Sequence, residues 1–178
     1  TSGYNFAKAI CRWRNESGMA LPPPQRETVD ACGQNRSMLV YTIAADDAEA
    51  AIDTLLNQEK QLAFMLRIGA GEARLHKPIS LTQEADVVLA GHPVVIPNPS
   101  APTLTDVSWG TTIDLSESHI VVSGQARLCL QDIALVNGRA VGRILGGGAL
   151  QVQNSNLRMS RCRIERCKSD NEGGAVAL

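Results

Sequence analysis

Two stretches near the C-terminus decide the fold: Leu128-Cys129-Leu130-Gln131-Asp132-Ile133-Ala134-Leu135 and Leu157-Arg158-Met159-Ser160-Arg161-Cys162-Arg163-Ile164. Aligned without a gap, Leu128 falls on Leu157, Leu130 on Met159, Ile133 on Cys162 and Leu135 on Ile164. The residues between them are mostly polar or charged. An apolar residue at every second position is the mark of a strand with one buried face. Each unit therefore reads as two short strands joined by a bend. A second element repeats beside the first, since Gly147-Gly148-Ala149-Leu150 returns as Gly173-Gly174-Ala175-Val176, 26 residues later. The two glycines are expected to allow a tight turn with positive φ. The alanine fits a crowded corner, and Leu150 or Val176 begins an inward-facing strand. Such a unit cannot bury its apolar face alone. Stacking on similar neighbours buries that face and pairs the backbone groups.

The same texture extends upstream. Leu66 and Ile68, Ile79 and Leu81, and Val87 and Leu89 are aliphatic pairs with one residue between them. Gly69, Gly71 and Gly91 punctuate them. No helix fits between strands spaced so tightly, which excludes βαβ units. A Pro-rich break over 93–102 (Pro93, Pro97, Pro99, Pro102) reads as a loop thrown out from the body, and the pattern resumes at Ile113, Leu115 and 120–122. Before this region, 38–43 is a strand candidate. A helix follows it, with Asp46 as N-cap, Glu49 completing a capping box, and an end near Gln61. The division expected is an extended N-terminal arm over 1–37, a strand and capping helix over 38–61, and stacked coils over 62–178. The arm holds a short helix at 6–13 around Trp13 and the triplet Pro22-Pro23-Pro24. With no evident core of its own, it is expected to wrap the domain or to dock on a partner.

These residues resemble a known group. The Gly-Gly-Ala-aliphatic starts, each with a Leu-x-Leu/Met coil, are similar to the repeats of polymorphic outer membrane proteins and related pectate-lyase-like β-helices. The helix around Ala51-Ile52-Asp53 and the run Leu66-Arg67-Ile68-Gly69-Ala70-Gly71 are similar to the opening of such proteins. The resemblance implies a mostly β chain: a right-handed parallel β-helix, incomplete and holding the N-terminal coils, whose open end a helix covers. This chain departs from the repeat pattern in reading Leu135-Val136-Asn137 and Ile164-Glu165-Arg166-Cys167 where Phe-x-x-Asn is usual. The final Gly-Gly-Ala-Val-Ala-Leu reads as the start of a further strand, so more chain or another chain is expected to cover that end.

Composition narrows the function. Aromatics are 3% of 178 residues, so the core is built from aliphatics, and a net charge of -1 leaves no footprint for nucleic acid. No run is long enough for a transmembrane helix. β-helix enzymes need carboxylates stacked on successive coils, and none is found. Asp46-Asp47 sits at the helix start, Asp106, Asp114 and Asp132 are scattered, and Asp132 aligns with Arg161. His76, His92 and His119 share no metal-ligand spacing. No catalytic, cofactor or metal residue is therefore assigned. Of the five cysteines, Cys11 with Cys32 and Cys162 with Cys167 are conceivable disulfides, but buried thiols packing as small hydrophobes is the reading taken. Arg158, Arg161, Arg163, Arg166 and Lys168 form the candidate binding patch, a basic outer wall for an acidic partner or glycan. The plain alternative is solubilising charge that guards a strand edge. Trp13, Pro22, Pro23 and Pro24 form the candidate partner-docking arm. The function expected is a non-enzymatic scaffold or binding module, whether surface, adhesion or accessory subunit, at an extracellular, surface or organelle-lumen location. Other protein chains are the expected partners. The alternative is the N-terminal part of a polysaccharide-active enzyme whose catalytic coils lie beyond residue 178.

Overall fold

The computed structural model describes residues 20–93, 109–141, 147–170 and 174–178. Trp13, the short helix expected at 6–13 and nearly all of the Pro-rich break fall outside these residues. The chain is mostly β. Its strands are β1 (Gln25–Asp30), β2 (Asn35–Ile43), β3 (Ala63–Ile68), β4 (Gly71–Arg74), β5 (Ile79–Leu81) and β6 (Asp86–Ala90). They continue as β7 (Thr111–Asp114), β8 (Ile120–Val122), β9 (Arg127–Gln131), β10 (Ile133–Val136), β11 (Arg139–Ala140) and β12 (Leu150–Val152). The last are β13 (Asn156–Ser160), β14 (Arg163–Glu165), β15 (Lys168–Ser169) and β16 (Val176–Ala177).

Three sheets hold most of them, with orders β1-β2-β3-β6-β9-β13, β4-β7-β10-β14 and β5-β8-β12-β16. Every described pairing is parallel except β1 with β2. From β3 onward the chain visits the first, second and third sheets in turn and then returns to the first. β11 and β15 form a further short parallel pair between the second and third sheets.

Register explains the sequence repeat. Leu128 is the strand partner of Leu157 and Leu130 of Met159. Leu135 is the partner of Ile164 and Leu150 of Val176. Inward-facing rows run from strand to strand: Leu39, Phe64, Val87, Leu128 and Leu157 in the first sheet, and Ala73, Ile113, Leu135 and Ile164 in the second. A third row is Ile79, Ile120, Leu150 and Val176. Phe64, Ile113, Leu128, Leu135 and Leu150 are sealed from solvent within one cluster. Full burial of each such side chain contributes about 1.5–3 kcal/mol.

The corners repeat as well. Asp132 and Arg161 both have positive φ, as do Asn137 and Arg166, and each pair is separated by 29 residues. Gly147 and Gly148 correct the turn expectation. Their φ is not positive; Gly174 alone of the repeated element's described glycines has that geometry, at 51°. Space is what the earlier pair supplies. A Cβ on Gly148 would lie 2.3 Å from the Lys168 carbonyl oxygen, and one on Gly147 2.4 Å from that of Leu150.

A 3-10 turn (Ala45–Asp47), helix α1 (Ala48–Asp53) and a π turn (Thr54–Gln58) follow β2. Ala48, Ala51, Ile52 and Leu55 enter the main core. The capping box does not form. Asp46 lies within the 3-10 turn, and neither that turn nor α1 has a side-chain cap. The Glu49 carboxylate instead accepts hydrogen bonds from His76, through its backbone N–H at 2.9 Å and its ring Nδ1 at 3.0 Å.

The segment expected as an extended arm also differs from Gln25 onward. It forms the outer half of an antiparallel hairpin in which Gln25 opposes Val40 and Asp30 opposes Asn35. β2 uses residues 35–40 to pair with β1 and 39–43 to pair with β3. The hairpin folds over the outer face of the first sheet. There Val29, Ala31 and Met38 cover an outward row of Val40, Met65, Val88 and Cys129, forming a second buried cluster.

Candidate functional site

The end of the hairpin is fastened to the sheet. Cys32, in the turn between β1 and β2, forms a disulfide with Cys129 on β9, with a Cα–Cα distance of 6.2 Å across 97 residues of chain. Neither cysteine pairing conceived from the sequence includes this bond. Gln131 adds a hydrogen bond from its side-chain amide to the Asp30 carbonyl at 2.8 Å. Arg67 grips Glu27 of β1 through two bonds, at 2.7 and 3.1 Å.

Beside the disulfide lies a groove of about 200 Å³ lined by Gln34, Arg36, Arg127, Leu128, Cys129, Asn156 and Arg158. Three elements build it. The hairpin supplies Gln34 and Arg36, β9 supplies the floor with Arg127, and β13 supplies Asn156 and Arg158 on the far side. Arg36 is held by Asp86 at 2.5 Å and by the Gln34 side chain. Arg127 stands 3.9 Å from the other oxygen of Asp86. Two guanidiniums thus share one carboxylate, and Arg158 adds a third to the groove lining. Arg158 is exposed and has no ion-pair partner among the described residues.

The residues of the basic wall expected from the sequence fall on different elements. Only Arg158 reaches this groove. Arg161 sits at the corner after the first sheet and forks onto Asp132 of the previous coil at 2.6 and 2.8 Å. These hydrogen bonds and the Asp132 charge raise the guanidinium's pKa above its ordinary value. Arg163 lies on the second sheet and pairs with Glu165 within its own strand. Arg166 donates to the Asn137 side chain one coil back at 3.0 Å. Lys168 is exposed on β15. Of the docking-arm residues described, Pro22 is half-buried and Pro23 and Pro24 are exposed.

Sequence reasoning missed Arg36 and Arg127. The coil repeat contains a signal for Arg127, because the register that pairs Leu128 with Leu157 also pairs Arg127 with Asn156. Nothing local signals Arg36, whose position depends on the hairpin folding over the sheet.

A second cleft, of about 530 Å³, opens between α1 and the segment 75–80, with Glu49, Asp53 and Asn57 on one wall and His76, Lys77 and Ser80 on the other. Burial pushes the Glu49 carboxyl up. Hydrogen bonds from His76, the charge of that ring and the Lys77 backbone N–H outweigh this and hold it below its ordinary value. Burial pushes the Cys162 and Cys167 thiols up, which disfavours the thiolate. Among the described residues, no group of three or more His, Cys, Asp or Glu side chains could hold a metal ion, and no helix is long and apolar enough to cross a membrane.

The chain matches no protein-family model, no curated protein and no solved structure.

Proposed function

We propose that this chain is a right-handed parallel β-helix that serves as a non-enzymatic scaffold and binding module. The observation that carries the reading is the cyclic order of the three parallel sheets, with aliphatic rows kept in register from coil to coil. Parallel crossovers take the right hand almost without exception. The Gly-Gly-Ala starts and their likeness to polymorphic outer membrane repeats point the same way.

The polar side chains favour structure over catalysis. Asp132, a carboxylate that a polysaccharide-cleaving site could use, is neutralised by Arg161 of the next coil. Glu165 is engaged by Arg163 and Glu117 by Arg139. A carboxylate in an ion pair is a poor general base. Partner chains are expected where apolar side chains of β13, β14 and β16 lack full cover. There Leu157, Ile164 and Val176 are only partly covered, and Met159 is 38% exposed. The disulfide favours an oxidising compartment.

The test is incubation of the folded protein with acidic polysaccharides, followed by assay for new reducing ends and unsaturated products. Binding without turnover is expected. Turnover abolished by Asp132→Asn would overturn the non-enzymatic reading.

A further inference from the structure

We infer that the groove between the hairpin and β13 is a binding site for an oxyanion, the sulfate or carboxylate carried by an acidic sugar or the same group as a free ion. The inference deepens the binding reading above and rests on it. Its starting point is charge that the fold brings together without neutralising it. Arg36, Arg127 and Arg158 come from three elements far apart in sequence, and among the described residues Asp86 is the single carboxylate that pairs with any of them. Asp86 is mainly engaged by Arg36, whose side chain is 18% exposed. Arg127 and Arg158 therefore carry the charge that faces solvent. Guanidinium groups present paired donors that match the two oxygens of a carboxylate or sulfate.

The remaining lining residues fit the same ligand. Gln34 and Asn156 add side-chain amides to the lining of the groove. The floor is held in place, because Cys129 is tied to Cys32 and Leu128 is sealed into the core. A site whose walls are fixed before binding loses less freedom when the ligand arrives. The volume, about 200 Å³, admits one oxyanion with a few waters and leaves the rest of a sugar chain outside, along the exposed face of β13. Lys168 offers a comparison within the molecule, since it is an exposed cation that does not line the groove.

The experiment uses the full chain with its disulfide intact and two probes, sodium sulfate and a heparin-derived hexasaccharide, each titrated at low ionic strength by calorimetry. Arg158→Ala is expected to weaken binding by about tenfold, the usual scale for losing one charge-assisted hydrogen bond. Lys168→Ala removes the same charge and is expected to change affinity by less than about twofold. Binding of sulfate alone would identify the free ion as the ligand. Binding of the hexasaccharide alone would identify the glycan-borne group. In the unaltered protein, the Nε–H resonances of Arg127 and Arg158 are expected to shift on titration, which keeps the test independent of how any variant folds. No binding of either probe would overturn the inference, as would equal weakening by Arg158→Ala and Lys168→Ala. Either result would leave the scaffold reading standing, whereas turnover of a polysaccharide would sink that reading and leave the groove untouched.

Discussion

Removing the Cys32–Cys129 disulfide is expected to cost more stability than any other change confined to the outer face. The bond closes a loop of 97 residues. On the chain-entropy account, a constraint of that length removes enough freedom from the unfolded chain to contribute about 4.7 kcal/mol. For a chain of this size, such a loss lowers the melting temperature by about 10–20 °C. The consequences should also be local. Without the bond, the hairpin is joined to the rest of the sheet through 39–43 of β2, the small cluster of Val29, Ala31 and Met38 on Val40, Met65 and Val88, and the solvent-accessible side-chain bonds of Gln131, Arg67 and Asp86. In Cys32→Ala/Cys129→Ala, amides of 25–34 are expected to exchange with solvent well before those of β6 and β9, which remain paired on both sides. Thermal melts and hydrogen-exchange mass spectrometry of the variant and the parent measure both effects. An unchanged melting temperature together with unchanged protection of the hairpin would refute the reasoning.

Three further outcomes are expected. Gly148→Ala forces a Cβ to 2.3–2.5 Å from Lys168 backbone atoms, which cannot swing aside as a side chain can, so denaturant titration should show a loss of about 3 kcal/mol or more. The Glu49 carboxyl is held below its ordinary value in the folded chain, so its contribution is present above the unfolded pKa of about 4.3 and is lost as pH falls through the lower folded value. Melts taken through that acid range should fall more steeply for the parent than for Glu49→Gln. Cys162 and Cys167, whose pKa values burial raises, should alkylate more slowly at neutral pH than a small free thiol, as peptide mapping after iodoacetamide treatment would show.

What was legible in the sequence is what repeats. The alignment of Leu128 with Leu157 and of Leu135 with Ile164 is also the strand register, because a two-residue period and the same 29-residue offset at both places leave little freedom. The helix after β2 was visible in the spacing of Ile52, Leu55 and Leu56. Its cap was not, because Asp46 and Glu49 satisfy the capping pattern while tertiary contact draws Glu49 to His76. The hairpin was missed for a related reason. Gln25–Asp30 alternates weakly and is half charged, and its partner face is built from outward-facing residues of strands far along the chain. The disulfide shared that obscurity, since no local spacing relates Cys32 to Cys129. The layout of the basic residues was not legible because strand alternation says which way a side chain points but not which sheet it stands on. Arg158, Arg161 and Arg163 occupy a strand, a corner and a second strand.

The stacking of coils is tested most directly by cross-strand nuclear Overhauser contacts in isotopically labelled protein. The account predicts backbone contacts between the strand neighbourhoods of Leu128 and Leu157, Leu135 and Ile164, and Leu150 and Val176, in the parallel pattern. Antiparallel contacts between consecutive strands such as β9 and β10, with none between those pairs, would contradict it.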